Sequence, residues 1–319
     1  MLDIVDFTPD QRKSFREDVV AGLSREGKTL PSRWLYDEYG SALFEKITQL
    51  EEYYPTRTEI AILRRHAAEI AAFAGRNVTL LEYGAGAGVK TEILIGALEA
   101  PQVYVPIDIA GEFVVRTAAR MQSRFPRIET ATVIADFTAE FEIPQSLSDE
   151  HRVAFFPGST IGNLDAAETD AFLQQVRRHV GPEGKAIIGI DLKKDMSILL
   201  PAYDDREGVT AAFNLNLLAR INRQLRGTFK LSRFAHEARW NENEWAVEMH
   251  LVSRGRQRVA VDGQDFAFAD GETIHTESSR KYDLPGFARL AARNQWSVSA
   301  VWTDPRRYFA VVGLDARRD

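Results

Sequence analysis

Between residues 59 and 192, short apolar runs alternate with segments whose apolar positions recur every three or four residues. "EIAILRRHAAEIAAFA" places Ile60, Leu63, Ile70 and Phe73 at helical spacing, with Thr56 and Glu59 spaced as a capping box before it. "VTLLEYG" then predicts a buried strand, "KTEILIGALEA" a helix, "VYVPIDI" a strand, "GEFVVRTAARMQSRF" a helix and "TATVIADF" a third strand. "RVAFFPGST" and "KAIIGIDL" predict two more strands, separated by the helix "DAAETDAFLQQVRRHV". Five apolar strands joined by helices imply an α/β fold: a parallel sheet covered on both faces, with right-handed crossovers. Ligands of such a sheet bind at the carboxyl ends of its strands.

The rhythm changes after residue 196. "AAFNLNLLARINRQL" is helical, whereas "WAVEMHLVSR", "RVAV" and "FAFADGETIHT" alternate like antiparallel strands with Gly and Asp turns. "LPGFARLAARNQW" returns to helix, and "SVSAVWTD-PRR-YFAVVGL" predicts a terminal hairpin. The pattern therefore divides into an α/β domain, 59–196 with 282–319, and an inserted α+β domain, 197–281, with which the segment 1–58 packs. No internal repeat is visible.

Composition narrows the class without naming a function. Of 319 residues, 45% are hydrophobic and 27% charged, as in an ordinary globular chain with a sizeable core. No apolar run reaches the length that spans a bilayer, and the start lacks a signal-peptide layout, so a cytoplasmic location is expected. A net charge of −6 without a Lys/Arg block argues against nucleic-acid or membrane partners. The absence of cysteine removes disulfides, thiolate nucleophiles and Cys-ligated metals. Histidines 66, 151, 179, 236, 250 and 275 have no metal-ligand spacing, and no metal is expected.

The chemistry gathers at "TLLEYGAGAGVKTEIL", residues 79–94. From Gly84 it misses a triphosphate-binding loop by one residue, since Val89 stands where glycine is needed before Lys90 and Thr91. Glu82 would repel a triphosphate, although Asp191 ends a strand as a magnesium-holding aspartate would. A dinucleotide site accounts for Asp108 at the end of the second strand, but G-A-G-A-G is not its glycine spacing. S-adenosylmethionine carries no phosphate and removes the conflict. Asp108 would accept its ribose hydroxyls, Asp136 its adenine amino group, and Phe137 would offer a backbone amide. Taken singly, Asp108 and Asp136 also suit plain turn-capping roles. A terminal antiparallel strand pair beside a parallel sheet is the outline of a Rossmann-like class I methyltransferase.

The strings "LPSRWLYDEYGSALFEKIT", "EEYYPTRTE", "PGSTIGN", "LLPAYDD" and "GETIHTESSRKYD" carry a resemblance over nearly the whole chain. They are similar to the L-histidine Nα-methyltransferases that form hercynine, the first step of ergothioneine biosynthesis. The resemblance implies a monomeric enzyme that trimethylates the histidine α-amine with three S-adenosylmethionine molecules, releasing S-adenosylhomocysteine. Residues 1–58 and 197–281 would bind the substrate. By position, the implied cofactor residues are Gly84, Lys90, Asp108, Asp136 and Phe137. Gly158 would lie near the transfer centre, Asn163 would hold the amino-acid end of the substrate, and Tyr203 its carboxylate. Tyr36 and Tyr53 would stand near the amine and imidazole, Tyr53 being favoured over Tyr54, with Phe44 as an aromatic wall. Glu277 and Ser279 would hydrogen-bond the imidazole nitrogens, and Met249 would pack beside the ring. The loop, with Ala85 and Ala87, is plainer than the polar loops of the family. The same residues admit plain roles: tyrosines as packing, Met249 as core filling, and Glu277 as a surface partner of Arg280 or Lys281. Other readings are an N-methyltransferase for a tryptophan-derived amino acid and, in a different class, a nicotinamide-dependent oxidoreductase.

Overall fold

Alternating apolar side chains on the strand Thr79–Tyr83 set the layers of the α/β unit in the computed structural model. Leu81 and Tyr83 enter one core and Leu80 the other, so helices must cover both faces. The structure describes residues 9–317, apart from 87, 110, 145, 146 and 148–150; Ala87 of the glycine loop is thus outside the described residues. The chain forms two compact units, Tyr54–Lys194 with Ser279–Asp319, and Met1–Tyr53 with Asp195–Ser278. The divisions fall at 53/54, 194/195 and 278/279, where the sequence pattern had placed 58/59, 196/197 and 281/282.

The sheet of the first unit runs in the order Trp296–Thr303, Phe309–Ala316, Lys185–Asp191, Arg152–Phe156, Thr79–Tyr83, Val103–Asp108 and Glu129–Thr130, with Val133–Ile134 also on Val103–Asp108. Its pairings are parallel except in the terminal hairpin, where Phe309–Ala316 runs antiparallel to both neighbours. The expected third strand is two short pieces at this sheet's edge, where its side chains alternate between half-buried and exposed. The expected first helix is also two, Tyr54–Arg65 and Ala67–Ala74, parted at His66. The helix begins at Tyr54, with Pro55 in its first turn where a missing N–H costs nothing. Thr56 is therefore inside the helix, and the expected capping box with Glu59 does not form. A genuine capping box joins Asp165 and Glu168 at the start of Ala166–Val180.

The second unit contains a four-stranded sheet in the order Lys28–Thr29, Thr273–Arg280, Ala246–Ser253 and Phe234–Asn241. Lys28–Thr29 pairs in parallel with Ile274 and His275, which joins the N-terminal segment to the insertion. Phe234–Asn241 escaped the sequence pattern because "FAHEARWN" has little alternation, yet it pairs along its full length with Ala246–Ser253. The helix Val209–Leu225 buries Phe213, Leu217, Leu218 and Ile221, and the helix Glu38–Ile47 packs on it. Asp37 caps the latter through the Gly40 amide at 2.8 Å and accepts from Asn216 Nδ2 at 2.7 Å. No helix among the described residues is long and apolar enough to cross a membrane.

Candidate active site

Tyr83 is followed by a glycine because the chain must turn sharply at the strand's end. Gly84 has φ +69°, and a methyl group built on it would stand 3.6 Å from the Phe137 ring. Two expected cofactor residues, Gly84 and Phe137, thus meet beyond the carboxyl ends of two strands that flank Val103–Asp108. Asp108 ends its strand half-buried, and its carbonyl accepts from the Ala135 amide at 3.1 Å. Asp136 closes a turn, with Oδ1 accepting from the Thr138 amide at 2.9 Å and its hydroxyl at 2.6 Å. That is the plain turn role the sequence allowed for it.

Glu82 does not face a ligand as a free charge. Its Oε1 accepts from Thr91 Oγ1 at 2.5 Å and its Oε2 from the Tyr104 hydroxyl, tying the first strand to the next helix and strand. Burial pushes its carboxyl up to about 7, against the lowering influence of these bonds and of the Lys90 charge. Against a triphosphate, the free charge of Glu82 is therefore lost and Val89 remains, 45% exposed in the first turn after the loop. Asp191, the feature that favoured a magnesium site, is buried and fully engaged. It accepts from Tyr54 and pairs with Lys194 at 2.6 Å and Lys281 at 2.8 Å. Burial alone would raise its pKa, but the two ammonium groups hold it below its ordinary value. Lys194 is pulled down to about 8 by the same burial, despite Asp191.

Lys90 and Gly158 are also brought together. Gly158 has φ +87°, and a methyl group there would lie 3.4 Å from Lys90 Nζ. Both depend on Glu59, a residue the sequence pattern had assigned to a helix cap. Its carboxylate accepts from the Gly158 amide at 2.9–3.0 Å and pairs with Lys90 at 2.5 Å.

In the same unit, the turn Thr160–Asn163 ends in Asn163 and brings Gly162 against the backbone of Arg280. Gly162 is required there, since a methyl group would stand 2.8 Å from the Arg280 carbonyl oxygen. Ser279, one residue earlier, is buried and accepts from Lys281 Nζ at 2.8 Å.

The second unit gathers the expected aromatic residues. Tyr36 packs edge-on against Phe44 at 5.5 Å and Phe213 at 5.3 Å, Phe44 against Tyr53 at 6.0 Å, and Tyr53 against Tyr203 at 6.3 Å. Phe213 was missed, being one apolar position among many on a helix. Glu277 is buried and hydrogen-bonded to Tyr36, so it is no surface ion-pair residue. Burial first, then the charge of Glu277, raises the Tyr36 pKa well above that of an ordinary phenol. Tyr203 is held through its carbonyl by His236 Nε2 at 2.7 Å. Met249 is buried on the strand beside Thr273–Arg280, its carbonyl accepting from Thr276 Oγ1 at 3.0 Å. Tyr54 lies elsewhere, on Asp191 in the α/β unit.

A parallel sheet closed by an antiparallel hairpin, with a glycine loop and acidic residues at its carboxyl ends, is the arrangement of a class I S-adenosylmethionine-dependent methyltransferase. Residues 15–316 match the model of a family described as histidine-specific, SAM-dependent methyltransferases. The chain is 40% identical over 305 residues to the histidine N-alpha-methyltransferase of Mycolicibacterium smegmatis, covering 94% of each. It is 41% identical over 302 residues to that of Mycobacterium tuberculosis, covering 91% of each. Against ergothioneine biosynthesis protein 1 of Neurospora crassa it is 32% identical, over 88% of this chain and 32% of that longer one. The chain belongs to the histidine-specific methyltransferase family.

Proposed function

We propose that the protein transfers three methyl groups from S-adenosylmethionine to the α-amine of L-histidine, giving hercynine for ergothioneine biosynthesis. The observation that carries this reading is 40% identity over 94% of both chains to a histidine N-alpha-methyltransferase. The cradle residues suit the donor: Gly84 and Gly158 leave room for close backbone approach, and Lys90 offers a cation for a carboxylate. Asp108 would hold the ribose, and Asp136 and Phe137 the adenine. Tyr36, Phe44, Tyr53, Tyr203 and Met249 would line the substrate site, Asn163 would take the amino-acid end, and Glu277 with Ser279 the imidazole. We take the enzyme to work as a cytoplasmic monomer without a metal.

S-adenosylmethionine supplies an activated methyl group on a sulfonium, so the protein's task is placement and proton management. Holding the amine in line with the methyl carbon supplies most of the rate. An α-amino group titrates near 8 in peptides, and a neighbouring sulfonium favours its neutral form. No strong base is needed. Tyr36 keeps its proton at neutral pH and donates to Glu277, leaving its oxygen lone pairs to orient the amine while water removes the proton.

Mass spectrometry of histidine incubated with the protein and S-adenosylmethionine tests the reading. The expected product is three methyl groups heavier, with tryptophan a poor substrate. Methylation of an indole amino acid and not of histidine would overturn it.

A further inference from the structure

Glu59 sits in the middle of the helix Tyr54–Arg65 and is 0% exposed. Burying a carboxylate is costly unless it is paired and hydrogen-bonded, and this one is both. Its oxygens accept from the Gly158 amide at 2.9 and 3.0 Å, and Oε2 pairs with Lys90 Nζ at 2.5 Å. A glycine makes the room, since a methyl group on Gly189 would stand 2.2 Å from Glu59 Oε1.

Lys90 is equally unusual as a helix residue. It lies in the first turn of Val89–Ala97, where the positive end of the helix dipole disfavours a cation. Stability does not call for this pair, because buried ion pairs are commonly replaceable by packed apolar side chains without loss. What the pair supplies is location. Lys90 is a flexible side chain whose ordering is otherwise borne by each binding event, and its side chain remains 18% exposed while Glu59 is sealed beneath it. An ammonium group has three N–H donors, and Glu59 engages one of them.

We propose that Glu59 is a positioning residue of the donor site, anchored on the Gly158 amide and holding the Lys90 ammonium ready for the α-carboxylate of the donor's amino-acid tail. The proposal rests on the reading that Lys90 meets that carboxylate. Glu59 touches no ligand itself and acts through Lys90.

Calorimetric titration with S-adenosylhomocysteine and with 5′-methylthioadenosine, which lacks the amino-acid tail, tests it. Glu59→Gln retains an acceptor for the Gly158 amide but turns an N–H toward Lys90. S-adenosylhomocysteine affinity should fall roughly tenfold, while 5′-methylthioadenosine affinity stays within about twofold. In a Lys90→Met background the same substitution should cause no further selective loss, since contacting residues couple and independent ones add. If Glu59→Gln does not fold, Glu59→Asp keeps the charge but shortens the reach, and should show the same selectivity. Equal loss for both ligands would mean a merely structural carboxylate and overturn the proposal. So would an undiminished S-adenosylhomocysteine affinity, or an equal loss with and without Lys90. Wild-type protein that binds neither ligand would instead overturn the donor reading on which the proposal rests.

Discussion

A phenol buried beside a carboxylate keeps its proton, and Tyr36 is placed that way beside Glu277. It is therefore a donor to Glu277 and no phenolate base at neutral pH. Tyr36→Phe should lower kcat roughly tenfold without abolishing turnover, whereas an essential general base contributes 10²–10⁴-fold. Rates measured at saturating histidine decide this, and complete loss of turnover with intact histidine binding would make Tyr36 the base. The neighbours Tyr53 and Tyr54 illustrate how far residue identity alone reaches. One joins the aromatic cluster of its unit, and the other starts a helix and hydrogen-bonds Asp191. The chain gives both the same side chain, and only the unit boundary between them separates their partners.

At the scale of elements, the first strand is tied to the next helix and strand by Glu82 through Thr91 and Tyr104. Its folded pKa of about 7 stands above the ordinary 4.5, so the folded state favours the protonated form. The contribution of Glu82 is full below pH 4.5 and is lost as pH rises through 7, a span worth roughly 3 kcal/mol. Glu82→Gln should remove this dependence. Relative to wild type, the variant should gain stability between pH 4.5 and 7 in denaturant titrations, and parallel curves would refute the assignment. Long periodic helices and apolar strands were legible because their pattern repeats the geometry of the element. The break of the expected third strand into the pieces 129–130 and 133–134 was not, nor was the strand Phe234–Asn241, whose half-exposed side chains show little alternation.

At the scale of the molecule, a ligand that binds only the folded state stabilises it by mass action. S-adenosylhomocysteine at about 100 times its dissociation constant should add about 2.7 kcal/mol and raise the thermal midpoint, while NAD should not. A shift with NAD alone would move the protein to the nicotinamide-dependent class.

The sequence by itself determined the alternation of strands and helices, the terminal hairpin, the change of rhythm near residue 196 and the glycine loop. Each is written in neighbouring residues, through spacing, turn chemistry or a short motif. It also carried the family, because strings such as "PGSTIGN" and "GETIHTESSRKYD" are long and uncommon. Only the tertiary structure decided the partners of the buried charges. Glu59 is 31 positions from Lys90 and 99 from Gly158, and Asp191 is 90 from Lys281. A carboxylate's local sequence fits a helix cap, a surface ion pair or a buried anchor equally well. Which of these it becomes depends on which donors the sheet brings within about 3 Å, and strand order sets that distance across the sheet, where spacing along the chain carries no information.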